Sequence, residues 1–131
     1  KVMITGATSG IGQALLSKYH GEGHQVIACG RDKSKLAAIE SSCSKTCLFD
    51  LTKQDEISSA LASIEALDIL ILNAGNCRYI DDAKHFDAEL FADVISTNLT
   101  SLGWLLQSLL PNVKTGGQFK VVYVKCGCVR E

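Results

Sequence analysis

Short, nearly all-apolar segments alternate with longer amphipathic segments along this chain. The apolar segments, bounded by glycine and polar residues, predict five β-strands over residues 2–5, 25–29, 46–49, 68–72 and 119–124. The amphipathic segments predict helices over about residues 11–21, 34–42, 54–66 and 88–110. Ile57, Leu61 and Ile64 form one apolar stripe of the third helix, and Pro111 ends the fourth. Strands this apolar are typical of a sheet covered on both faces.

The alternation of strands and helices predicts the α/β class. Helical crossovers join parallel strands through right-handed connections, so we expect an incomplete doubly wound parallel sheet, the Rossmann architecture, with strand order 3-2-1-4-5. Gly116 and Gly117 are predicted to turn the chain into its last strand. With 131 residues, of which 47% are apolar, the chain is expected to form one domain over residues 1–131. A ligand would lie at the carboxyl ends of the strands, where the strand order reverses.

Composition and charge narrow the possible partners. A formal net charge of −1 gives no basis for binding nucleic acid or an anionic membrane, and the apolar runs are too short to span a bilayer. We expect no signal peptide, because the first residues already form a strand, and we expect a cytoplasmic location. Scattered cysteines without zinc-type spacing predict reduced thiols and no metal site. They are Cys29, Cys43, Cys47, Cys77, Cys126 and Cys128.

Glycines at positions 6, 10 and 12 directly follow the first strand. This spacing suits a dinucleotide pyrophosphate, because it allows a tight turn, a close approach of backbone to phosphate, and close packing of helix on strand. The helix that follows would offer unpaired N–H groups to the anion, with Ser9 and Ile11 presenting backbone N–H and Ser9 also its hydroxyl. A tight strand–helix turn without a ligand is the alternative. Thr5 is expected to cap backbone groups at the turn rather than to perform chemistry.

Further motifs follow in register with the glycine loop. They are Asp50-Leu51-Thr52 after the third strand, Asn73-Ala74-Gly75 after the fourth, Asn98 in the long helix and Gly116-Gly117 before the fifth strand. Together with Gly6, Gly10 and Gly12 they resemble the short-chain dehydrogenase/reductase family over essentially the whole chain, with Leu72 replacing the first Asn of the family's Asn-Asn-Ala-Gly. The resemblance implies hydride transfer between a nicotinamide cofactor and a small carbonyl or alcohol substrate. It also implies a possible homo-oligomer that forms through two long helices, the first over residues 88–110.

The resemblance implies roles for residues at the strand ends. Asp50, with Leu51 beside it, would meet the adenine amino group of the cofactor; its alternative role is to cap the next helix. Asn73, Ala74 and Gly75 would let the backbone come close to the ribose side of the cofactor. Asn73 would in addition tie adjacent strands together.

Asn98 is the candidate catalytic residue. Asn is a poor choice inside an apolar helix, and a buried amide there requires a hydrogen-bond partner. The resemblance implies that Asn98 bonds a main-chain carbonyl and helps to hold a water near a catalytic lysine. An Asn98 that only kinks the helix, or is only hydrogen-bonded, is the alternative.

The end of the second strand bears on the choice of nicotinamide cofactor. NAD-dependent enzymes of this architecture place an acidic residue there to bond the ribose 2′-hydroxyl. In this chain Gly30 occupies that place and Arg31 follows, with Lys33 and Lys35 close behind. A guanidinium pairs with a 2′-phosphate, so the sequence favours NADP(H) over NAD(H), unless Arg31 is only a solvated surface charge. Asp32 comes after the strand and is expected to cap the next helix.

The family's other catalytic groups are missing from these residues. None of the three tyrosines has a lysine four positions further on, so the family's Tyr-x-x-x-Lys is absent. Cys126 stands where the resemblance places a catalytic Ser, and the tail over residues 125–131 is atypical of the family. We therefore expect a C-terminally shortened or frame-shifted product of a dehydrogenase about twice this long, with weak cofactor binding and no useful turnover.

A non-catalytic function is the alternative to an oxidoreductase. The chain would then be a dinucleotide-binding module, or a fragment that associates through the apolar strand over residues 119–124 at the sheet edge. Another nucleotide-binding α/β protein, such as a methyltransferase, is a third alternative. Asn73-Ala74-Gly75 together with Asn98 argues against it.

Overall fold

The computed structural model describes residues 1–121, in which strands and α-helices alternate. The strands are β1 (Val2–Thr5), β2 (Val26–Gly30), β3 (Lys45–Leu48), β4 (Leu67–Leu72) and β5 (Val113–Val121). The helices are α1 (Gly10–Gly21), α2 (Lys33–Ile39), α3 (Gln54–Leu61), α4 (Ala88–Ile95) and α5 (Ser101–Leu109). The predicted strand end at residue 124, the position of Cys126 and the tail over residues 125–131 lie outside the described residues.

The strands form one parallel sheet in the order β3-β2-β1-β4-β5, which confirms the predicted order. β1 lies at the centre, with Ile4 opposite Ala28 of β2 and Ile71 of β4. The chain moves outward from β1 to β3 and then crosses to β4 on the other side of β1. The strand order therefore reverses between β1 and β4, and this is where parallel sheets bind ligands.

Both faces of the sheet are covered, as the apolar strands predict. On one face, side chains such as Met3, Cys47 and Leu70 pack against α3 and α5. On the other face, Ile4 and Ala28 are among the residues that pack against α1 and α2. Strand residues alternate between the two clusters because successive side chains point to opposite faces. Within residues 1–121, no helix combines the length and the apolar character needed to cross a bilayer.

The fifth strand begins at Val113, earlier than the sequence predicts. Val113 pairs with Leu67, but Gln118 already pairs with Ile69, so extra residues of β5 form a bulge between these pairs. Gly116 lies in this bulge with a φ of 80°, a conformation that favours glycine. The two adjacent glycines therefore distort a strand that has already started, and the prediction that they form a turn before it is wrong.

Two predicted helices are shorter or interrupted. α3 ends at Leu61, because a turn closed by the N–H of Ile64 and the carbonyl of Leu61 leads the chain into β4. Ile64 is nevertheless buried, so the apolar stripe was identified correctly. The long helix predicted over residues 88–110 is divided into α4 and α5 by a π-helical turn over Ser96–Thr100.

Candidate functional site

A cleft of about 400 Å³ opens at the carboxyl ends of β1, β2, β3 and β4. Nine of the eleven residues predicted to bind a cofactor line it, namely Gly6, Ser9, Ile11, Arg31, Asp50, Leu51, Asn73, Ala74 and Gly75. Gly10 and Gly12 are not in its wall, and Asn98 is not either. The topology thus brings together residues that lie far apart in the sequence.

The three glycines shape the loop between β1 and α1 in different ways. Gly6 and Gly10 have φ values of 66° and 53°, which other residues rarely adopt. A Cβ at Gly6 would lie 2.8 Å from the Cα of Ala74, whereas a Cβ at Gly10 would meet nothing within 4 Å. Gly12 packs under the loop, where a Cβ would lie 2.6 Å from Nδ2 of Asn73. Glycine is therefore needed at position 12 for the packing of α1 against the loop.

The N-terminus of α1 lies at the wall of the cleft. Ser9 is the N-cap residue, with extended backbone (φ −159°, ψ 161°), and its side chain caps no N–H group of the helix. The first intrahelical bond joins the N–H of Gln13 to the carbonyl of Ser9. The N–H groups before Gln13 therefore have no partner within the helix. The first turn carries no acidic side chain. This end of α1 therefore offers donors and a positive dipole end to an anion.

Hydrogen bonds tie β1 to β4 at the point where the strand order reverses. The hydroxyl oxygen of Thr5 accepts hydrogen bonds from the backbone N–H groups of Asn73 (3.0 Å) and Ala74 (3.1 Å). The side-chain amide of Asn73 donates to the carbonyl of Thr5 at 3.3 Å and to that of Gly6 at 3.4 Å. The prediction that Thr5 caps backbone groups is confirmed. Asn73 holds the two strands together and so fixes Ala74 against the glycine loop.

Positive charge lies at the end of β2. Arg31 follows the strand, and the side chains of Arg31 and Lys35 line the cleft, whereas Lys33 does not. The carboxylate of Asp32 accepts hydrogen bonds from the backbone N–H groups of Ser34 (2.9 Å) and Lys35 (3.1 Å). Asp32 is therefore the N-cap of α2, as predicted. The Asp32 carboxylate also lines the cleft, where the guanidinium of Arg31 and the ammonium of Lys35 outnumber it.

Asp50 shapes the turn that follows β3. Its Oδ1 accepts hydrogen bonds from the N–H of Thr52 at 2.8 Å and from the hydroxyl of Thr52 at 2.7 Å. The backbone bond is the main cause of a lowered pKa of Asp50. The N-cap of α3 is Lys53, so the alternative that Asp50 caps this helix is wrong. Among the described residues, Oδ2 of Asp50 accepts no hydrogen bond, which leaves it open to a donor in the cleft.

Asn98 lies in the π-helical turn and holds one backbone segment. Its Oδ1 accepts a hydrogen bond from the N–H of Asn76 at 2.7 Å, and its Nδ2 donates to the carbonyl of Asn76 at 2.8 Å. The main-chain bond that the resemblance implies is therefore present, together with a local widening of the helix. A role of Asn98 in the chemistry stays a prediction.

Replacing Asn98 with alanine should destabilise the fold by about 1–3 kcal/mol, because both polar groups of the Asn76 backbone lose their partner. The stability of Asn98→Asp should lie between those of the unchanged protein and Asn98→Ala, because the aspartate keeps the acceptor and loses the donor. Thr100→Ala is the matched control, because Thr100 is exposed in the same turn and its side chain caps no helix. Urea unfolding measures all three variants. Equal losses for Asn98→Ala and Thr100→Ala would show that the two bonds contribute little.

Sequence reasoning missed Asn76. Its Nδ2 donates to the carboxylate of Asp93 at 3.3 Å, and its Oδ1 is buried without a hydrogen-bond partner among residues 1–121. Asn76 also lines the cleft. The signal available in the sequence was a polar residue directly after Asn73-Ala74-Gly75. An unpaired buried acceptor is costly, so this atom is the clearest sign that a donor from outside the described residues belongs here.

Thr8, Phe49 and Thr97 also line the cleft and were not predicted. Thr8 packs beside the end of β2, since a Cβ at Gly30 would lie 3.1 Å from the methyl group of Thr8. Phe49 is buried and belongs to the core on the α3 side. No local sequence pattern marks these three residues, because only the folded sheet brings them together. In residues 1–121, no three His, Cys, Asp or Glu side chains come close enough to hold a metal ion.

The fold and the cleft define a doubly wound α/β protein with a glycine loop at its switch point. The chain belongs to the short chain dehydrogenase family, whose profile matches residues 1–128. Serine 3-dehydrogenase of Agrobacterium fabrum is 33% identical over 119 residues, which cover 86% of this chain and 48% of that relative. The NADP-dependent 3-hydroxy acid dehydrogenase YdfG of Escherichia coli K12 is 29% identical, with the same coverage of each chain.

Solved structures show the same relationship. The closed form of serine dehydrogenase complexed with NADP⁺ matches with a TM-score of 0.77 and 29% identity, over 85% of this chain and 48% of that chain. Serine dehydrogenase from Escherichia coli matches with a TM-score of 0.76 and 30% identity, over 85% of this chain and 54% of that one. The chain thus spans about half the length of the curated relatives it matches.

Proposed function

We propose that residues 1–131 are the NADP(H)-binding domain of an oxidoreductase that transfers hydride between the nicotinamide and a small carbonyl or alcohol substrate. The glycine loop carries this proposal, because it leaves the N-terminus of α1 open to the cleft while positions 6 and 12 admit no side chain. The relatives support it, since YdfG is NADP-dependent and the serine dehydrogenase structure contains NADP⁺.

The residues present fit the diphosphate of such a cofactor. Ser9 and Ile11 line the cleft at the start of α1, where backbone N–H groups lack partners within the helix. A Cβ at Gly6 would fill the space between the loop and Ala74, so glycine keeps the backbone accessible. A diphosphate would accept hydrogen bonds from these N–H groups and gain from the dipole of a helix without acidic residues in its first turn.

The end of β2 fits a ribose that carries a 2′-phosphate. Gly30 offers no carboxylate to repel this phosphate, and the Asp32 carboxylate, which caps α2 and also lines the cleft, is outnumbered by cationic side chains. Arg31 and Lys35 both line this part of the cleft. The planar fork of a guanidinium donates two parallel hydrogen bonds to a phosphate, and a lysine adds a second positive charge. We therefore propose NADP(H), with NAD(H) as the weaker ligand.

Two acceptors at other positions in the cleft fit hydrogen-bond donors of the cofactor. Oδ2 of Asp50 would accept from the adenine amino group, while Oδ1 remains occupied by Thr52. The buried Oδ1 of Asn76 would accept from a ribose hydroxyl on the nicotinamide side. Gly75, which is exposed at the cleft, leaves room for the backbone to approach that ribose.

When bound, the cofactor supplies or accepts the hydride. The residues of this chain bind and orient it, and Asn98 fixes the position of Asn76 through its two hydrogen bonds. The family's Tyr-x-x-x-Lys does not occur among the 131 residues, so we expect these residues alone to bind cofactor weakly and to show no useful turnover. As substrate we propose a small hydroxy acid or its carbonyl form, as the names of the relatives suggest.

Hydrogen–deuterium exchange with and without NADP⁺ tests the proposal. We expect slower exchange in peptides that contain the loop over residues 6–12 and the segment over residues 74–76, because bound cofactor would occupy their N–H groups or cover them. Peptides from α3, which lies outside the cleft wall, serve as the internal control. Unchanged exchange in the loop at saturating NADP⁺ would contradict the proposed site.

We further propose that this domain assembles as a homo-oligomer through α4. Phe86, Phe91, Ile95 and Leu99 are between 37% and 59% exposed along this helix and its flanks. The rings of Phe86 and Phe91 already contact each other, with centroids 5.7 Å apart. Replacing Phe91 with Glu should shift sedimentation velocity profiles toward the monomer. If the unchanged protein already sediments as a monomer, the result contradicts this assembly.

A further inference from the structure

Two cysteines face each other on adjacent parallel strands. Cys29 of β2 and Cys47 of β3 are directly paired in register, and both side chains lie in the core on the α3 side of the sheet. Neighbouring strands are about 4.8 Å apart, which lies within the Cα separation that a disulfide requires. Both are free thiols in this structure. This spacing of the strands therefore permits a bond between the sulfurs.

The two thiols are chemically different. The neighbouring Cys29 side chain is the main cause that lowers the pKa of Cys47 to about 7, with the positive charge of Lys45 adding to this effect. The Cys47 side chain, together with burial, raises the pKa of Cys29 well above its usual range. Cys47 is thus the more acidic thiol of the pair, and the thiolate is the reactive form.

Access to the pair is limited to small molecules. Cys29 is 1% exposed and Cys47 4% exposed, and Cys29 forms part of the wall of the cleft. A peroxide is close to water in size, whereas a disulfide such as oxidised glutathione is too bulky to reach either sulfur. Cys43 lies against the core on the other face of the sheet, and Cys77 is exposed. Neither is paired in register with Cys29 or Cys47.

We infer that Cys29 and Cys47 are a redox-modification site at which hydrogen peroxide forms a disulfide beside the cleft. The Cys47 thiolate attacks one peroxide oxygen, the O–O bond breaks, and hydroxide leaves as water after taking a proton. Cys29 then attacks the sulfenic acid of Cys47, its proton goes to the departing hydroxyl, and a second water is released. Two thiols lose two electrons, and the peroxide is reduced to two waters.

The disulfide would join β2 and β3 just before the residues that line the cleft, Arg31 and Asp50. If the cleft binds NADP⁺, as proposed above, the cofactor would cover Cys29 and slow the oxidation. This coupling rests on the proposed function, whereas disulfide formation itself does not. A dithiol reductant should reverse the modification.

Peptide mapping under non-reducing conditions tests the inference on the full chain treated with hydrogen peroxide. Trypsin cuts after Lys18, Arg31, Lys45 and Lys53, so the disulfide would join the peptide of residues 19–31 to that of residues 46–53. We expect this linked pair, lighter by two hydrogen atoms than the sum of its parts. Cys47→Ser and Cys29→Ser should each abolish it, because each variant lacks one of the two sulfurs of the disulfide. Cys43→Ser is the matched control and should change nothing.

Thermal unfolding shows whether each variant folds, and the mapping of the unchanged chain does not depend on the variants. Absence of the linked pair under conditions that oxidise Cys77 overturns the inference, and so does a disulfide that joins Cys29 or Cys47 to another cysteine instead. NADP⁺ is the probe for the coupling because peroxide does not oxidise it. If the linked pair forms and NADP⁺ does not slow its formation, the result supports the redox site. The same result counts against the proposed cofactor cleft.

Discussion

Replacing Gly12 with alanine should abolish measurable NADPH binding and lower the free energy of unfolding by about 3 kcal/mol, the upper end of the usual cost of overpacking. The added Cβ would lie 2.6 Å from Nδ2 of Asn73 and 2.7 Å from the carbonyl carbon of Gly6. Neither neighbour can move freely, because Asn73 bonds the carbonyls of Thr5 and Gly6. The start of α1 would have to shift away from the loop, and its N–H groups would then no longer converge on one anion site.

Gly21→Ala is the matched control for Gly12→Ala. Gly21 ends the same helix, and a Cβ there would meet nothing within 4 Å. We expect unchanged cofactor binding and unchanged or slightly higher stability, because alanine is the better helix former. Urea unfolding and an NADPH titration measure both variants. If the two variants behave alike, the close packing at position 12 is not what the site requires.

Replacing Arg31 with alanine should weaken NADPH binding about 10- to 100-fold, because charge-assisted hydrogen bonds contribute about 1.5–3 kcal/mol each. NADH binding should change by no more than about 2-fold, since NADH has no 2′-phosphate for the guanidinium to bind. Arg31 follows β2 and lines the cleft, and Gly30 before it carries no competing carboxylate. Fluorescence titrations with each reduced cofactor measure the two affinities.

Lys33→Ala separates a specific contact from a general loss of positive charge. Lys33 is an exposed neighbour of Arg31 that does not line the cleft, so its removal changes the net charge equally without touching the site. We expect NADPH affinity within about 2-fold of the unchanged protein at moderate salt, because exposed charges are well screened. Equal losses for NADPH and NADH in Arg31→Ala, or equal losses in both variants, would remove the argument for NADP(H).

The sheet could be predicted because its strands are marked locally. Val2–Thr5 is a short apolar run that ends at a glycine turn, and β4 has the same character. The start of β5 could not be predicted in this way. Lys114, Thr115 and the two glycines after them look like a loop in the sequence, and only pairing with β4 makes them part of a bulged strand. Tertiary pairing overrides local propensity at such an edge.

Packing beside the cleft could be predicted where one residue type has one structural purpose. The glycine spacing predicts close packing of helix on strand, and a Cβ at Gly12 would indeed lie 2.6 Å from Nδ2 of Asn73. Asn76 and the π-helical turn escaped prediction, because the bonds between Asn76 and Asn98 join residues 22 positions apart. An Asn in an apolar helix indicates that a partner exists, but periodicity cannot say which backbone segment supplies it.

Isothermal titration calorimetry of the unchanged chain with NADPH and NADH tests the central claim most directly, because it reports site formation and cofactor choice together. The account predicts one site per chain and at least about tenfold tighter binding of NADPH, the equivalent of about 1.4 kcal/mol. No heat of binding with either cofactor, or NADH bound as tightly as NADPH, would contradict it.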